Sequence, residues 1–252
     1  MKRLMLLSIL FSAFITKTVL AADVDGSVAW SQRVDLSTTV SGLVHEVLVN
    51  AGDRVNKGDV LLRLQADRFN AALASAKAAE KDAQYKLKEA EREWNRAQEL
   101  YERTVLSDSD LQQAENLLVA AQAASVQATT QRINAKRDVV ESVIRAPFDA
   151  VVLQRHVEPG QSIVTRMQSV PMISVAATTY YHAQAAVSVV TANKLSNGQS
   201  ISVTVGDKRF NGILTSVGYE PRKGTELYPV TVRFTTAGRL LRAGQNATIH
   251  LP

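Results

Sequence analysis

The sequence contains no cysteine. That excludes disulfides, thiolate metal ligands, a cysteine nucleophile and lipid attachment at an N-terminal cysteine. Aromatic residues make up only 6% of the 252 positions, and alanine is abundant in their place, a composition that suits closely packed helices better than a large enzyme core. Histidine is sparse. His45, His156, His182 and His250 are scattered, with no pair at a zinc-ligand spacing such as His-x3-His. Of the four methionines, Met1 and Met5 lie at the extreme N-terminus, which leaves Met167 and Met172, too few soft ligands for a metal-handling role. Gly52 and Gly58 serve turns and open no helix, so there is no phosphate loop. No catalytic, cofactor-binding or metal-binding constellation is legible, and an exported hydrolase is disfavoured.

The N-terminus has the form of an export signal. Lys2 and Arg3 precede an apolar run from Leu4 to Ile15, and Val19 and Ala21 are small residues at the −3 and −1 positions of a cleavage site. The run is shorter than the ~20 residues of a spanning helix, so cleavage is expected over anchoring, with a mature chain starting near Ala22 or Asp23. Removing Lys2, Arg3 and Lys17 lowers the formal charge from +5 to +2, so the basicity is largely a targeting feature and does not point to nucleic acid. The expected location is the periplasm, without lipid modification.

Asp67 to Glu141 contains neither glycine nor proline, although the chain has twelve glycines and six prolines. This predicts continuous helix. Phe69, Leu73, Ala76, Glu80, Ala83, Leu87, Ala90, Trp94, Ala97 and Tyr101 step alternately by four and three residues, the seam of a coiled coil. A second seam runs through Leu111, Ala114, Leu118, Ala121, Ser125, Ala128, Arg132, Ala135 and Val139. Glu80 reads as a register or assembly feature, and Arg132 as a cation snorkelling out of the seam. Between the seams lies Thr104-Val105-Leu106-Ser107-Asp108, with Ser107 as helix cap and Asp110 at the third helical position. So short a connection makes the helices antiparallel, with arms of about 35 residues projecting roughly 50 Å. Alanine knobs bury little, so the free faces are expected to pack against other copies.

The flanks, residues 23–66 and 143–252, are rich in Val, Ile and Thr with punctuating glycines, and read as β structure. They contain a repeat. Ser41-Gly42-Leu43-Val44 and Val49-Asn50-Ala51-Gly52-Asp53-Arg54-Val55 recur 108 residues later as Asp149-Ala150-Val151-Val152 and Val157-Glu158-Pro159-Gly160-Gln161-Ser162-Ile163. Two halves around a helical hairpin describe one small β domain with the hairpin inserted, and the strands at the hairpin's two ends must lie side by side. From Tyr180 onward, five strand-like runs and a short helix at Thr191–Leu195 read as a small barrel, with the early run Gly26 to Leu36 supplying its remaining strand.

Three segments carry a family resemblance. VSGLVHEVLVNAGDRVNKGDVLLRLQ resembles the first lipoyl half-motif of the membrane fusion proteins, or periplasmic adaptors, of the AcrA/MexA type within the HlyD-like family, and IRAPFDAVVLQRHVEPGQSI resembles the second. LLRAGQNATIHL is similar to the closing barrel strand, where the family usually has Leu-x-Pro-Gly-Met; Ala243 and Gln245 depart from it, and Ala150 replaces a usual glycine. The resemblance implies an elongated, multi-domain α+β protein: signal 1–21, first barrel strand region 22–39, lipoyl half 40–66, coiled-coil hairpin 67–141, second lipoyl half 142–176 and β-barrel 177–252. The family commonly continues into a membrane-proximal domain. This chain stops at Pro252, so that domain is expected to be absent, with transporter docking left to the barrel and lipoyl regions.

The same resemblance implies a non-enzymatic efflux adaptor without cofactor. Its expected partners are an inner-membrane transporter of the resistance-nodulation-division type, a TolC-like outer-membrane duct and further copies of itself, six in the pump. An ATP-driven or major-facilitator exporter is the alternative transporter. Arg96, Leu100 and Ser107 fit the spacing Arg-x3-Leu-x6-Ser found at the hairpin tip of duct-engaging adaptors, which makes them the expected duct contacts. A lipoyl or biotinyl carrier shares the half-motifs, but it needs a modifiable lysine at the turn between halves. Gln65-Ala66-Asp67-Arg68 stands there, and arginine cannot carry the cofactor amide.

Overall fold

The computed structural model describes residues 22–165 and 170–252; the expected export signal at 1–21 lies outside the described residues. The protein divides into two compact units, one formed by the chain up to Ser31 together with Thr179–Pro252, the other by Gln32–Thr178. Its class is the α+β arrangement read from the sequence: a split β-sandwich bearing a helical hairpin, and a closed six-stranded barrel.

Strand β1 (Ala22–Trp30) belongs to the barrel unit. The sandwich holds β2 (Arg33–Leu36), β3 (Gly42–Val47), β4 (Arg54–Val55) and β5 (Val60–Leu64) before the hairpin, and β6 (Val143–Arg145), β7 (Ala150–Arg155), β8 (Ser162–Ile163) and β9 (Ile173–Ala177) after it. Its two sheets have the orders β2-β9-β7-β4 and β6-β5-β3-β8. Exchanging each strand for the one four places later converts one sheet into the other, so the sequence repeat is a pseudo-twofold axis in the fold. The halves are interlocked. β3 pairs with β8 through Gly42↔Ile163, and β4 pairs with β7 through Arg54↔Val151, so neither half completes a sheet alone. The turns repeat as well: the N–H of Gly52 bonds the Val152 carbonyl at 2.8 Å, and the N–H of Gly160 bonds the Val44 carbonyl at 2.8 Å. Both glycines adopt positive φ, 98° and 84°, which a side chain would resist. Leu61, Leu62, Met172, Ile173 and Val175 are fully buried between the sheets.

One expectation is corrected. The run to Leu36 does not all enter the barrel: Arg33–Leu36 pairs antiparallel with β9 in the sandwich, from Arg33↔Ala176 to Leu36↔Ile173. The symmetry supplies the reason. β2 is the counterpart of β6, and without it β9 would expose an unpaired edge.

At the hairpin root, β5 and β6 pair antiparallel through Leu62↔Ile144, as the returning chain requires. Phe69 packs into the sandwich core at 6% exposure, and the Thr38 hydroxyl donates to the Glu141 carbonyl at 2.8 Å. Helix α1 (Asp67–Glu102) and helix α2 (Asp108–Glu141) then pack along the two seams. Every seam residue except Tyr101 is buried or half-buried, with Phe69, Ala128 and Ala83 the most enclosed. At the end of α1 the half-buried residue is Leu100, and Tyr101 is 39% exposed.

Arg132 is not snorkelling. Its Nε lies 2.8 Å from Glu80 Oε2 across the seam, with the two side chains 27% and 16% exposed. Arg132, chiefly by hydrogen bonding, holds the Glu80 carboxyl below its ordinary range, assisted by Thr129 and opposed by partial desolvation. The two charged seam positions are therefore partners, and the pair fixes the alignment of the helices.

In the barrel, β1 is joined by β10 (Tyr181–Val187), β11 (Ser200–Val205), β12 (Lys208–Val217), β13 (Tyr228–Phe234) and β14 (Asn246–Leu251), closed in the order β1-β10-β13-β12-β11-β14. A chain of rings, Trp30–Tyr181–Phe234–Phe210, spaced 5.6, 6.0 and 5.6 Å, fills its core. The buried Tyr181 hydroxyl accepts from the Leu241 N–H at 3.2 Å. The short helix α3 (Val189–Ala192) begins earlier than the Thr191–Leu195 expected, because Ser188 caps it by accepting from the Thr191 N–H.

Candidate functional site

The hairpin tip is closed by specific contacts. Helix α1 ends in a Schellman motif: the Val105 N–H bonds the Leu100 carbonyl at 3.0 Å, and the Thr104 N–H bonds the Tyr101 carbonyl at 2.8 Å. This places Thr104 at φ 59°, where glycine is usual and a β-branched residue carries strain of about 1–2 kcal/mol. Ser107 is extended and caps α2. Its hydroxyl accepts the Asp110 N–H at 3.2 Å and donates to the Asp110 carboxylate at 2.7 Å. Asp110 thus closes on the cap's hydroxyl, whereas a capping box closes on the cap's backbone. Asp108 and Asp110 both complement the positive end of α2. The Tyr101 hydroxyl donates to Asp108 across the turn, and that bond to a carboxylate raises the tyrosine above its ordinary range.

These contacts hold open a groove of about 260 Å³ between the last turns of α1 and the first turns of α2. Its floor is apolar, made by Ala97, Leu100, Leu106, Ala114 and Leu117, and its rim carries Glu93, Arg96 and Asp110. Leu117 is 58% exposed there. The Arg96 guanidinium bonds both Glu93 oxygens, at 2.9 and 3.2 Å, with its side chain 65% exposed. A surface pair of this kind is worth less than ~1 kcal/mol, so Arg96 can exchange Glu93 for a carboxylate on another molecule at little cost.

The structure therefore brings two of the three sequence-derived residues together. Arg96 and Leu100 line one groove, whereas Ser107 does not line it and shapes the turn through its cap. Leu106 and Leu117 were missed. Their signal was present in the sequence, since both are leucines outside the seam positions at the end where the seam stops.

Elsewhere, no group of three or more His, Asp or Glu among the described residues is placed to hold a metal ion. His250 links Asp23 (2.6 Å, Nδ1) to Thr204 (2.7 Å, Nε2), an order reminiscent of a catalytic relay. Asp23 and His250 face each other directly across β1 and β14, so the chain of contacts is a cross-strand ladder. Arg68 lies in the first turn of α1 with its guanidinium over the Phe69 ring at 4.5 Å, at the point where a carrier domain would present its lysine. No helix among the described residues is long and apolar enough to cross a membrane.

Comparison with known proteins agrees with this geometry. The family described as the CzcB-like, barrel-sandwich hybrid domain matches residues 32–174, which take in the hairpin and nearly all of the sandwich. The macrolide export protein MacA of Yersinia pestis is 29% identical over 240 residues, 87% of this chain and 64% of that protein, so the chain spans just under two thirds of that relative's length. The membrane fusion protein Spr0693 of Streptococcus pneumoniae R6 superposes with a TM-score of 0.70 at 20% identity, over 92% of this chain and 98% of that one. A MacA–MexA chimera containing the Pseudomonas aeruginosa MexA α-hairpin domain gives 0.66 at 20% identity, over 92% and 82%. At those identities the superpositions speak for the fold, and the family match speaks for kinship. Interlocked half-motifs, the hairpin inserted between them and the matching family lead to one assignment: the chain belongs to the family of the CzcB-like barrel-sandwich hybrid domain.

Proposed function

We propose that the chain is the periplasmic adaptor of a tripartite efflux pump, linking an inner-membrane transporter to a TolC-like outer-membrane duct. The observation that carries this reading is the tip groove, an apolar floor with exchangeable charges on its rim at the end of a long hairpin. Arg96 and Leu100 make the duct contact, and Ser107 sets the turn that presents them. The likeness to a macrolide export protein supports traffic in drug-like compounds. The transporter is of the resistance-nodulation-division type, with an ATP-driven or major-facilitator exporter as the second reading, and six copies surround the conduit. The mature chain is periplasmic, freed of residues 1–21 and not lipid-modified.

A photoreactive residue at Leu117, introduced in cells, tests the reading. The expected adduct contains an outer-membrane duct protein. Adducts confined to other proteins, or none under conditions of active efflux, contradict it. Neighbouring genes decide the transporter class: a large transporter with two periplasmic loops identifies the first type.

A further inference from the structure

A hollow of about 520 Å³ opens at the end of the barrel where α3 leaves β10 and the chain turns from β12 into β13. That volume falls within the usual range of small-molecule sites. Its walls are pinned. The Gly198 N–H bonds the Leu214 carbonyl at 2.8 Å and the Leu214 N–H bonds the Gln199 carbonyl at 2.8 Å, which ties the turn after α3 to β12. On the other side the Gly218 N–H bonds the Pro229 carbonyl at 2.7 Å, and a Cβ on Gly218 would lie 2.5 Å from the Pro229 ring. Only glycine lets the loop begin this close. Val189, Leu195 and Val217 give the hollow an apolar floor. Leu195, Val217 and Tyr228 also pack on the barrel core.

Asn193, Ser196, Asn197, Tyr219 and Tyr228 supply the polar lining, and no charged residue takes part. None of these five side chains hydrogen-bonds another described residue. Polar side chains just beyond them behave differently. Ser188 caps α3, the Gln199 carboxamide accepts from the Ser196 N–H, and Arg222 donates to the Ala185 carbonyl. Unengaged donors and acceptors are thus gathered in one concavity. Tyr219 stands beside it 98% exposed, a flat ring that costs little side-chain entropy to engage. An adjoining hollow of about 400 Å³ shares Val189 and Tyr228 and adds one carboxylate, Glu226.

We propose that this end of the barrel binds an uncharged pyranose sugar within a short oligosaccharide. A charged ligand finds no counter-ion in the main hollow, and an aliphatic one would cover both carboxamides without bonding them. A sugar meets both demands. Its hydroxyls donate and accept, as carboxamides and hydroxyl side chains also do, and its C–H face lies flat on a tyrosine ring. The adjoining hollow continues the site for a second ring. The proposal goes beyond the adaptor reading and does not rest on it.

Two neutral trisaccharides test it, tri-N-acetylchitotriose for N-acetylated glycan and maltotriose for plain glucan. Titrated into the nitrogen-15-labelled full-length chain, at least one should shift the amide resonances of Asn193, Asn197 and Tyr219 saturably. Whichever of the two binds identifies the sugar. Tyr219→Ala and Asn197→Ala should each weaken binding by about tenfold, the equivalent of one lost contact. Lys194→Ala, whose side chain lies outside the lining, should bind as the native chain does. Tyr219 is almost wholly solvent-exposed, so its loss leaves the barrel folded and reports contact alone. No saturable shift with either sugar, native affinity in either lining variant, or an equal loss in Lys194→Ala overturns the proposal.

Discussion

Proline at Leu87 separates the role of a straight hairpin from that of the folded β units. Leu87 is a half-buried seam residue in the interior of α1. Proline there removes one backbone hydrogen bond and its ring meets the carbonyl of Ala83, at a cost of about 3 kcal/mol or more. The geometric effect is larger than the energetic one. Fifteen residues separate Leu87 from the end of α1 at Glu102, a lever of about 22 Å. A proline kink of about 20° displaces the tip by roughly 8 Å, well beyond the ~3 Å reach of a hydrogen bond from Arg96. The chain has two tryptophans, Trp30 in the barrel and Trp94 in the hairpin, so a Trp94→Phe background leaves Trp30 as sole reporter of the barrel. Far-ultraviolet dichroism should show Leu87→Pro helices melting earlier, while the Trp30 transition stays where it was. Export, measured as drug susceptibility in a strain lacking the native copy, should be lost. Leu87→Ala keeps the helix straight and should retain export. Native export by the proline variant, or a Trp30 transition that moves with the helices, refutes the reasoning.

Other predictions concern single contacts. Because Arg132 and Thr129 hold Glu80 below the ordinary carboxylate range, its contribution is complete above the unfolded value of about 4.3 and is lost as pH falls through the lowered folded value. The stability gap between the native chain and Glu80→Gln, read from thermal melts, should therefore be constant above about pH 6 and close toward acid; a gap that widens toward acid contradicts the pairing. Thr104→Gly relieves the left-handed strain and should stabilise the hairpin by up to about 1 kcal/mol in urea titration, whereas destabilisation would show that the threonine is not strained. A Cβ on Gly26 would lie 2.4 Å from the Gln184 carbonyl oxygen, so Gly26→Ala should cost the barrel about 1–3 kcal/mol, and an unchanged Trp30 melt would refute the close approach of β1 and β10.

The hairpin and the split sandwich were legible because both are periodic. Seam residues recur at helical spacing, and the half-motifs recur at a fixed offset that the strands reproduce. Features that depend on contacts between distant positions were not. Arg132 looked anomalous until the fold brought Glu80 against it. The run from Gly26 to Leu36 has no turn signal at Ser31-Gln32, so its division between two units was invisible. A positive φ at Thr104 leaves no trace in residue type, since threonine is not a residue that normally signals it. At the tip, Arg96 and Leu100 were found by motif. Leu106 and Leu117 stand outside the seam, so their periodicity carries no sign of the groove they line.

A matched pair of charge reversals tests whether the tip of the hairpin docks the outer-membrane duct. Arg92 and Arg96 stand one turn apart, 60% and 65% exposed, each paired with a glutamate three residues earlier at 2.8 and 2.9 Å. They are nearly equivalent locally and differ in that only Arg96 lines the groove. Either Asp substitution should change the stability of the free chain by no more than about 0.5 kcal/mol. Co-purification of the duct with tagged adaptor should collapse for Arg96→Asp and persist for Arg92→Asp, with transporter binding intact in both. Equal retention of the duct by the two variants would make Arg96 an ordinary solvated charge and would contradict the claim.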